Sequence, residues 1–115
     1  MSIVMDMDSF WSRVGEDRGL AHELIELYFA ERPRLFDDVR VAALGTDGVA
    51  LRHAAHALKG TIANFSAGPA VDTARLLEEM GKKDDLGGAA EACATLGGQL
   101  VLLDSDLAEF KRGIA

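Results

Sequence analysis

One apolar pattern near the C-terminus constrains the fold of this 115-residue chain more than any other feature. Apolar residues recur there at alternating intervals of three and four, the spacing of a helix face that packs nearly parallel or antiparallel to its neighbours. The positions are Leu86, Ala89, Cys93, Leu96, Leu100, Leu103, Leu107 and Phe110. We interpret this seam as the core-facing side of a long helix in a bundle, with an intermolecular coiled coil as the less favoured alternative.

Glycine, proline and aspartate divide the rest of the chain into segments of helical length. Pro69 suits the first position of a fourth helix that reaches Met80 and follows a turn over residues 66–68. Pro33 interrupts the second helix, which is therefore either one kinked helix or two abutting helices. The predicted N-caps are Asp8 or Ser9, Asp17, Asp47 and Asp85, and the predicted helix ends are Gly15, Gly45 and Gly81.

The second helix supplies a further set of apolar positions that can pack against the seam. They are Leu20, Leu24, Leu27, Tyr28, Leu35, Val39 and Leu44. No strand-like alternation of useful length occurs in the chain. The pattern predicts an all-α fold, an antiparallel four-helix bundle with a short additional N-terminal helix, in a single domain over residues 1–115 with its core at about 8–111.

Composition narrows the class of protein. The net charge of −7 lacks the basic footprint of a nucleic-acid-binding protein and disfavours binding to anionic membrane surfaces. No apolar run is long enough to span a membrane, and the N-terminus lacks the cationic start of a signal peptide. Cys93 is the only cysteine, so no disulfide or thiolate metal site can form within one chain. We expect a cytoplasmic protein, and a monomer because the apolar stripes can close one core.

The predicted third helix presents a histidine to solvent. At about 100° per residue, five apolar residues fall within about 80° of arc, and His56 lies about 140° from the centre of that stripe. Arg52, Lys59, Gly60 and Ala63 lie on the side of His56. Imidazole is a nucleophile and proton carrier near neutral pH, Lys59 offers positive charge for an anion, and Gly60 leaves space beside the ring. The stripe consists of Leu51, Ala55, Leu58, Ile62 and Phe65.

This segment resembles the histidine phosphotransfer (HPt) domains of multistep two-component phosphorelays. Their usual motif is His-x-Leu-Lys-Gly, followed by small residues, then Ser or Asn, an apolar residue and Gly-Ala. Ser66 stands where the family most often has glycine. The matching positions are His56, Leu58, Lys59, Gly60, Asn64, Phe65 and Ala67.

The resemblance implies a four-helix bundle over nearly the whole chain and a role for His56 as a phosphoacceptor. A phosphorylated aspartate on one receiver domain would supply the phosphoryl group, and an aspartate on a second receiver domain would accept it. The partners would be the receiver domains of a hybrid histidine kinase and of a response regulator. Lys59 would balance the phosphoryl charge and help to dock an acidic partner. Glu78 matches the family position that holds the other ring nitrogen, where a carboxylate can accept the Nδ1 proton and leave Nε2 as the attacking atom.

The surroundings of His56 predict the docking surface. It includes Arg52, His53, Ala57, Ala63 and Asn64, together with Gly60. The chain lacks a phosphate-binding glycine-rich loop and a kinase ATP motif, so it cannot make phosphohistidine from ATP and is not expected to be an enzyme. No cofactor is expected on this chain, because family precedent implies that the receiver supplies Mg²⁺.

Two other interpretations remain open. A non-phosphorylated helical bundle could bind a signalling partner through the same face, although such modules commonly lose the histidine. His53 and His56, at i and i+3, could share a metal, but a third ligand would have to come from another helix. We therefore predict no metal site.

Overall fold

The structure, a computed structural model, describes residues 5–114. These residues form five α-helices and one short 3₁₀ turn, and no strand occurs among them. The helices are α1 (Met7–Arg13), α2 (Arg18–Ala43), α3 (Gly48–Ile62), α4 (Gly68–Lys82) and α5 (Ala89–Ile114), with the 3₁₀ turn at Ala63–Phe65 between α3 and α4. The predicted all-α bundle with a short additional N-terminal helix is confirmed.

Aspartate caps begin three of the helices. The carboxylates of Asp17 and Asp47 accept hydrogen bonds from the first turns of α2 and α3, as the sequence predicts. For α1 the prediction is wrong, because Asp6 is the cap and its carboxylate accepts from the backbone N–H of Ser9. Asp85 does not cap α5 either, since that helix begins only at Ala89. Glycines at 87 and 88 delay the helix because their backbone freedom makes helix entry unfavourable.

The second helix runs continuously through Pro33, so the alternative of two abutting helices is wrong. Its buried face also differs in part from the predicted one. Leu27 and Leu44 are 53% and 67% exposed, whereas Ala21 and Ile25 are fully buried. The side chains of α2 that face the core are Ala21, Ile25, Tyr28, Leu35, Val39 and Ala43. Small residues fit where helices pack closely, so apolar size alone does not mark the buried face.

The seam of α5 is buried between the other helices. Six of its eight predicted positions lie in the core, and Leu86 and Phe110 pack at its ends while partly buried. Tyr28 of α2 donates a hydrogen bond of 2.6 Å to Asp104, and Phe36 of α2 lies against Gly97. Rising residue numbers in α2 thus meet falling numbers in α5, so the two helices are antiparallel.

The bundle consists of a long pair of helices, α2 and α5, and a short pair, α3 and α4. Helices α2 and α5 contain 26 residues each and α3 and α4 contain 15 each. At 1.5 Å per residue the long pair spans about 39 Å and the short pair about 22 Å. Helix α1 covers the end that the short pair leaves open, where the ring of Phe10 lies 5.3 Å from that of Phe65 and 5.4 Å from that of Phe110. The short pair therefore forms one compact layer on the long pair, and this layer carries His56.

Within residues 5–114, no helix is long and apolar enough to cross a membrane.

Candidate functional site

His56 projects from the middle of α3 into solvent. The five apolar residues of the predicted stripe are all buried, with Phe65 at its end in the 3₁₀ turn. The side chain of His56, on the opposite face, is 70% exposed. Burial of the stripe fixes the rotation of α3 about its own axis, because turning the helix would expose those apolar side chains.

Helix α4 brings a carboxylate to the ring of His56. Nδ1 of His56 is hydrogen-bonded to Oε2 of Glu78. Gly81 of α4 lies against Gly48 at the start of α3, and Glu78, three residues earlier in α4, lies against His56, so the two helices run antiparallel. The side chain of Glu78 is only 15% exposed, so its carboxylate lies in the crevice between the helices while the ring above it remains open to solvent.

Lys59 binds the other oxygen of the same carboxylate. Its Nζ donates a hydrogen bond of 2.7 Å to Oε1 of Glu78, and the lysine side chain is 22% exposed. The hydrogen bond from Lys59, reinforced by that from His56, holds the pKa of Glu78 below its ordinary value. Glu78 is therefore ionised at neutral pH, and an ionised carboxylate can only accept hydrogen bonds.

These contacts determine which ring nitrogen of a neutral His56 carries the proton. Because Oε2 of Glu78 can only accept, Nδ1 must be the donor. The lone pair of a neutral ring then resides on Nε2, which has no hydrogen-bond partner among residues 5–114. In a neutral ring, Nε2 is therefore unprotonated and open to solvent, and the negative charge of Glu78 lies on the Nδ1 side of the ring.

The remaining predicted residues surround the histidine in different ways. Gly60 is exposed, and a methyl group built on it would meet no atom within 4 Å. Ala57 and Asn64 are exposed, and Ala63 is half-buried with its carbonyl accepting a hydrogen bond of 2.6 Å from Arg13. The surface of α3 between His56 and Gly60 is therefore unobstructed.

The other two predicted contacts lie on α3 outside the hydrogen-bonded group of His56, Lys59 and Glu78. Arg52 and His53 are exposed, and the guanidinium of Arg52 lies 3.3 Å from Nε2 of His53. Neither side chain forms a hydrogen bond or an ion pair with His56 in residues 5–114. No group of three or more His, Cys, Asp or Glu side chains in that range could hold a metal ion.

An open groove between α2 and α3 adjoins the histidine. Its volume is about 460 Å³, and Ala57, the neighbour of His56, lies at its edge. Sequence reasoning missed the α2 side of this groove. The signal was present in part, because Arg34, Asp38 and Val41 recur at intervals of four and three along one side of α2, beside the core residue Leu35. The α2 residues of the groove are Arg34, Leu35, Asp38, Val41 and Ala42, and α3 adds Ala50, His53 and Ala54.

The fold and the site together define a class of protein, an all-α bundle with a solvent-exposed histidine whose Nδ1 is hydrogen-bonded to a carboxylate. The family model of the Hpt domain matches residues 23–113. The chain therefore belongs to the Hpt domain family, whose members carry phosphoryl groups on histidine in two-component phosphorelays and are not kinases. No curated protein and no solved structure gives a significant match to the chain.

Proposed function

We propose that this protein is a phosphorelay intermediate that uses His56 as its only phosphoacceptor. It takes the phosphoryl group from an aspartate on the receiver domain of a hybrid histidine kinase and passes it to an aspartate on the receiver domain of a response regulator. The observation that carries the proposal is the contact between Nδ1 of His56 and Glu78, which assigns the proton of a neutral ring to Nδ1 and leaves Nε2 open to solvent.

The chemical step needs no proton transfer. Nε2 of His56 attacks the phosphorus in line, the N–P bond forms, and the P–O bond to the receiver aspartate breaks with its electron pair leaving on the carboxylate. The proton on Nδ1 stays in place, so the phosphorylated ring carries a positive charge. The carboxylate of Glu78 stabilises that charge as it develops, which is electrostatic stabilisation by a preorganised group.

The surroundings of His56 fit a folded partner better than a small molecule. The groove between α2 and α3 is an open surface feature, and it is lined by small and apolar side chains with Arg34 and Asp38 at the α2 side. Gly60 and Ala57 also leave room beside the ring. A receiver domain would bring its aspartate and its Mg²⁺, while this chain contributes the nucleophile and acts as a monomer in the cytoplasm.

The experiment is transfer from phosphorylated receiver domains of the same genome to the purified protein. His56→Gln should fold as the wild type does and accept no label, because its amide has no nucleophilic ring nitrogen. His53→Gln is the matched control, since His53 is also exposed on the same helix and has no hydrogen bond to Glu78 in residues 5–114. The phosphate on the wild-type protein should be labile in acid and stable in base.

Two outcomes would contradict the proposal. Full labelling of His56→Gln would mean that another residue is the acceptor. Tight binding of a receiver with no label on any residue would favour the non-phosphorylated interaction module instead.

A further inference from the structure

Two glycines, Gly48 and Gly81, lie in a close backbone contact between α3 and α4. A methyl group built on Gly81 would lie 2.5 Å from the backbone oxygen of Gly48 and 2.6 Å from the backbone nitrogen of Arg52. A methyl group built on Gly48 would lie 2.6 Å from the backbone oxygen of Gly81 and 2.6 Å from Oδ1 of Asp84, which follows α4. Real side chains do not tolerate such distances, so the two backbones touch at a spacing that only glycine permits.

Gly81 has a role that differs from the one predicted from the sequence. The pattern predicts that Gly81 ends the fourth helix, but α4 continues to Lys82 and Gly81 is buried inside it. Gly81 lies in the last turn of α4 without the left-handed conformation of a C-terminal glycine, so the helix end gives no reason for glycine here. The contact with α3 supplies that reason.

This contact lies about one helical turn from the functional pair on both helices. Gly81 follows Glu78 by three residues, about 4.5 Å along α4, and Arg52 precedes His56 by four residues, about 6 Å along α3. A rigid helix transmits the separation at Gly81 directly to Glu78. The carboxylate reaches the ring of His56 and the ammonium of Lys59 at once, so a wider gap between the helices would lengthen these contacts.

We infer that Gly48 and Gly81 are positioning residues that hold Glu78 against Nδ1 of His56, an inference that rests on the proposed function of His56. A methyl group at position 81 forces the backbones apart by about 1 Å, because nonbonded carbon atoms require about 3.5 Å. The carboxylate then withdraws from Nδ1, and the ring loses its fixed proton position and its counter-charge.

The test locates the ring proton by ¹⁵N NMR of the two His56 ring nitrogens, at a pH high enough for the ring to be neutral. Glu78→Ala defines the spectrum of a ring with no carboxylate partner. Gly81→Ala should fold and shift the Nδ1–H tautomer population from the wild-type value towards that of Glu78→Ala. Phosphoryl transfer should slow by roughly 10- to 100-fold, since displacements of about 1 Å at a reacting group have costs of that order.

The matched control is Gly98→Ala. Gly98 lies inside α5, and a methyl group there meets no atom within 4 Å, so the same substitution changes helix propensity without separating helices. Its tautomer population and transfer rate should equal those of the wild type. Gly48→Ala places a methyl group in the same contact from α3, so it should reproduce the effect of Gly81→Ala.

A folded Gly81→Ala protein with the wild-type tautomer population would overturn the inference. Failure of both Gly81→Ala and Gly48→Ala to fold would also count against it, because the contact would then be a requirement of the fold. The NMR readout needs no phosphoryl transfer. A tautomer shift in a protein that never accepts phosphate would therefore leave the positioning role intact and remove the proposed function alone.

Discussion

The Nζ atom of Lys59 lies 2.7 Å from Oε1 of Glu78, so the lysine of the His-x-Leu-Lys-Gly motif is bound to a carboxylate. The sequence indicates a lysine that offers its charge to an anion beside His56. In the structure that anion is Glu78, and the lysine side chain is largely buried against it. Lys59 thereby keeps Glu78 ionised and fixes the orientation of the carboxylate that His56 uses.

The first prediction separates the charge of Glu78 from its hydrogen bond. Glu78→Gln keeps an oxygen that can accept from Nδ1 but removes the negative charge, so the ring tautomer should persist while transfer slows by about tenfold, or ~1.4 kcal/mol of barrier. Glu78→Ala removes both features and should be slower still. Single-turnover transfer measured together with ¹⁵N NMR distinguishes the two effects.

The control for this series is Glu79→Gln, which changes the neighbouring exposed carboxylate and should leave transfer unaffected. Wild-type transfer by Glu78→Gln would show that orientation of the ring matters and that the charge of the carboxylate does not.

The second prediction concerns acid stability. The hydrogen bond from Lys59 is the largest cause of the lowered pKa of Glu78, so Lys59→Met should raise that pKa. A carboxylate whose pKa is lower in the folded state than in the unfolded state, where it is about 4.3, stabilises the fold at pH values above about 4.3. This stabilisation is lost as the pH falls through the pKa of the folded state. Lys59→Met should therefore cost about 1 kcal/mol at pH 7, and the difference from wild type should shrink below about pH 4.

Titration of the Glu78 carboxyl by ¹³C NMR and urea unfolding at pH 7 and pH 3 are the measurements. Lys82→Met is the control, because Lys82 is exposed near the end of the same helix. An unchanged pKa of Glu78 in Lys59→Met would mean that the ion pair does not govern its ionisation in solution.

The third prediction is that space at Gly60 is needed for transfer. Gly60→Glu places a long, negative side chain one turn after His56 on an open face, where it should repel the phosphoryl group and obstruct the partner, slowing transfer by more than about tenfold. The helix itself should be stabilised by up to about 1 kcal/mol, because glycine is a poor helix former. Thermal unfolding and transfer kinetics check the two parts separately.

Gly98→Glu is the matched control, since Gly98 is also an exposed helical glycine with open space around it. Transfer at the wild-type rate by Gly60→Glu would show that the partner does not approach over this position.

The fourth prediction follows from the position where the chain departs from the usual motif. Ser66 has φ +52 and ψ 40, a left-handed conformation that costs most L-residues about 1–2 kcal/mol and glycine almost nothing. The larger backbone entropy of unfolded glycine offsets part of this gain, so Ser66→Gly should stabilise the protein by up to about 1 kcal/mol. Chemical unfolding measures the change.

The substitution also removes the 3.2 Å hydrogen bond from Ser66 Oγ to Ser9 Oγ. Ser9→Ala removes the same bond without changing the backbone at position 66 and isolates its cost. If Ser66→Gly destabilises the protein as much as Ser9→Ala does, strain at position 66 is negligible.

Features that repeat along one helix were predictable from the sequence. The spacing of three and four identifies the seam of α5 and the stripe of α3, since every residue of a helix has a fixed angle relative to its neighbours. The exposure of His56 follows from that stripe alone. Glu78 was predicted as the partner of His56 by resemblance to a family, since no pattern within α4 distinguishes it from Glu79.

The tertiary structure decided how the helices meet. Local periodicity gives each helix an apolar face, but the separation and register of two helices depend on the packing of the whole core. The sequence therefore identified Gly81 as a helix end, whereas packing makes it the contact that brings α4 close to α3. In the same way Lys59 is a free cation in the sequence and the partner of Glu78 in the fold, because a contact across 19 residues exists only once α3 and α4 are packed together.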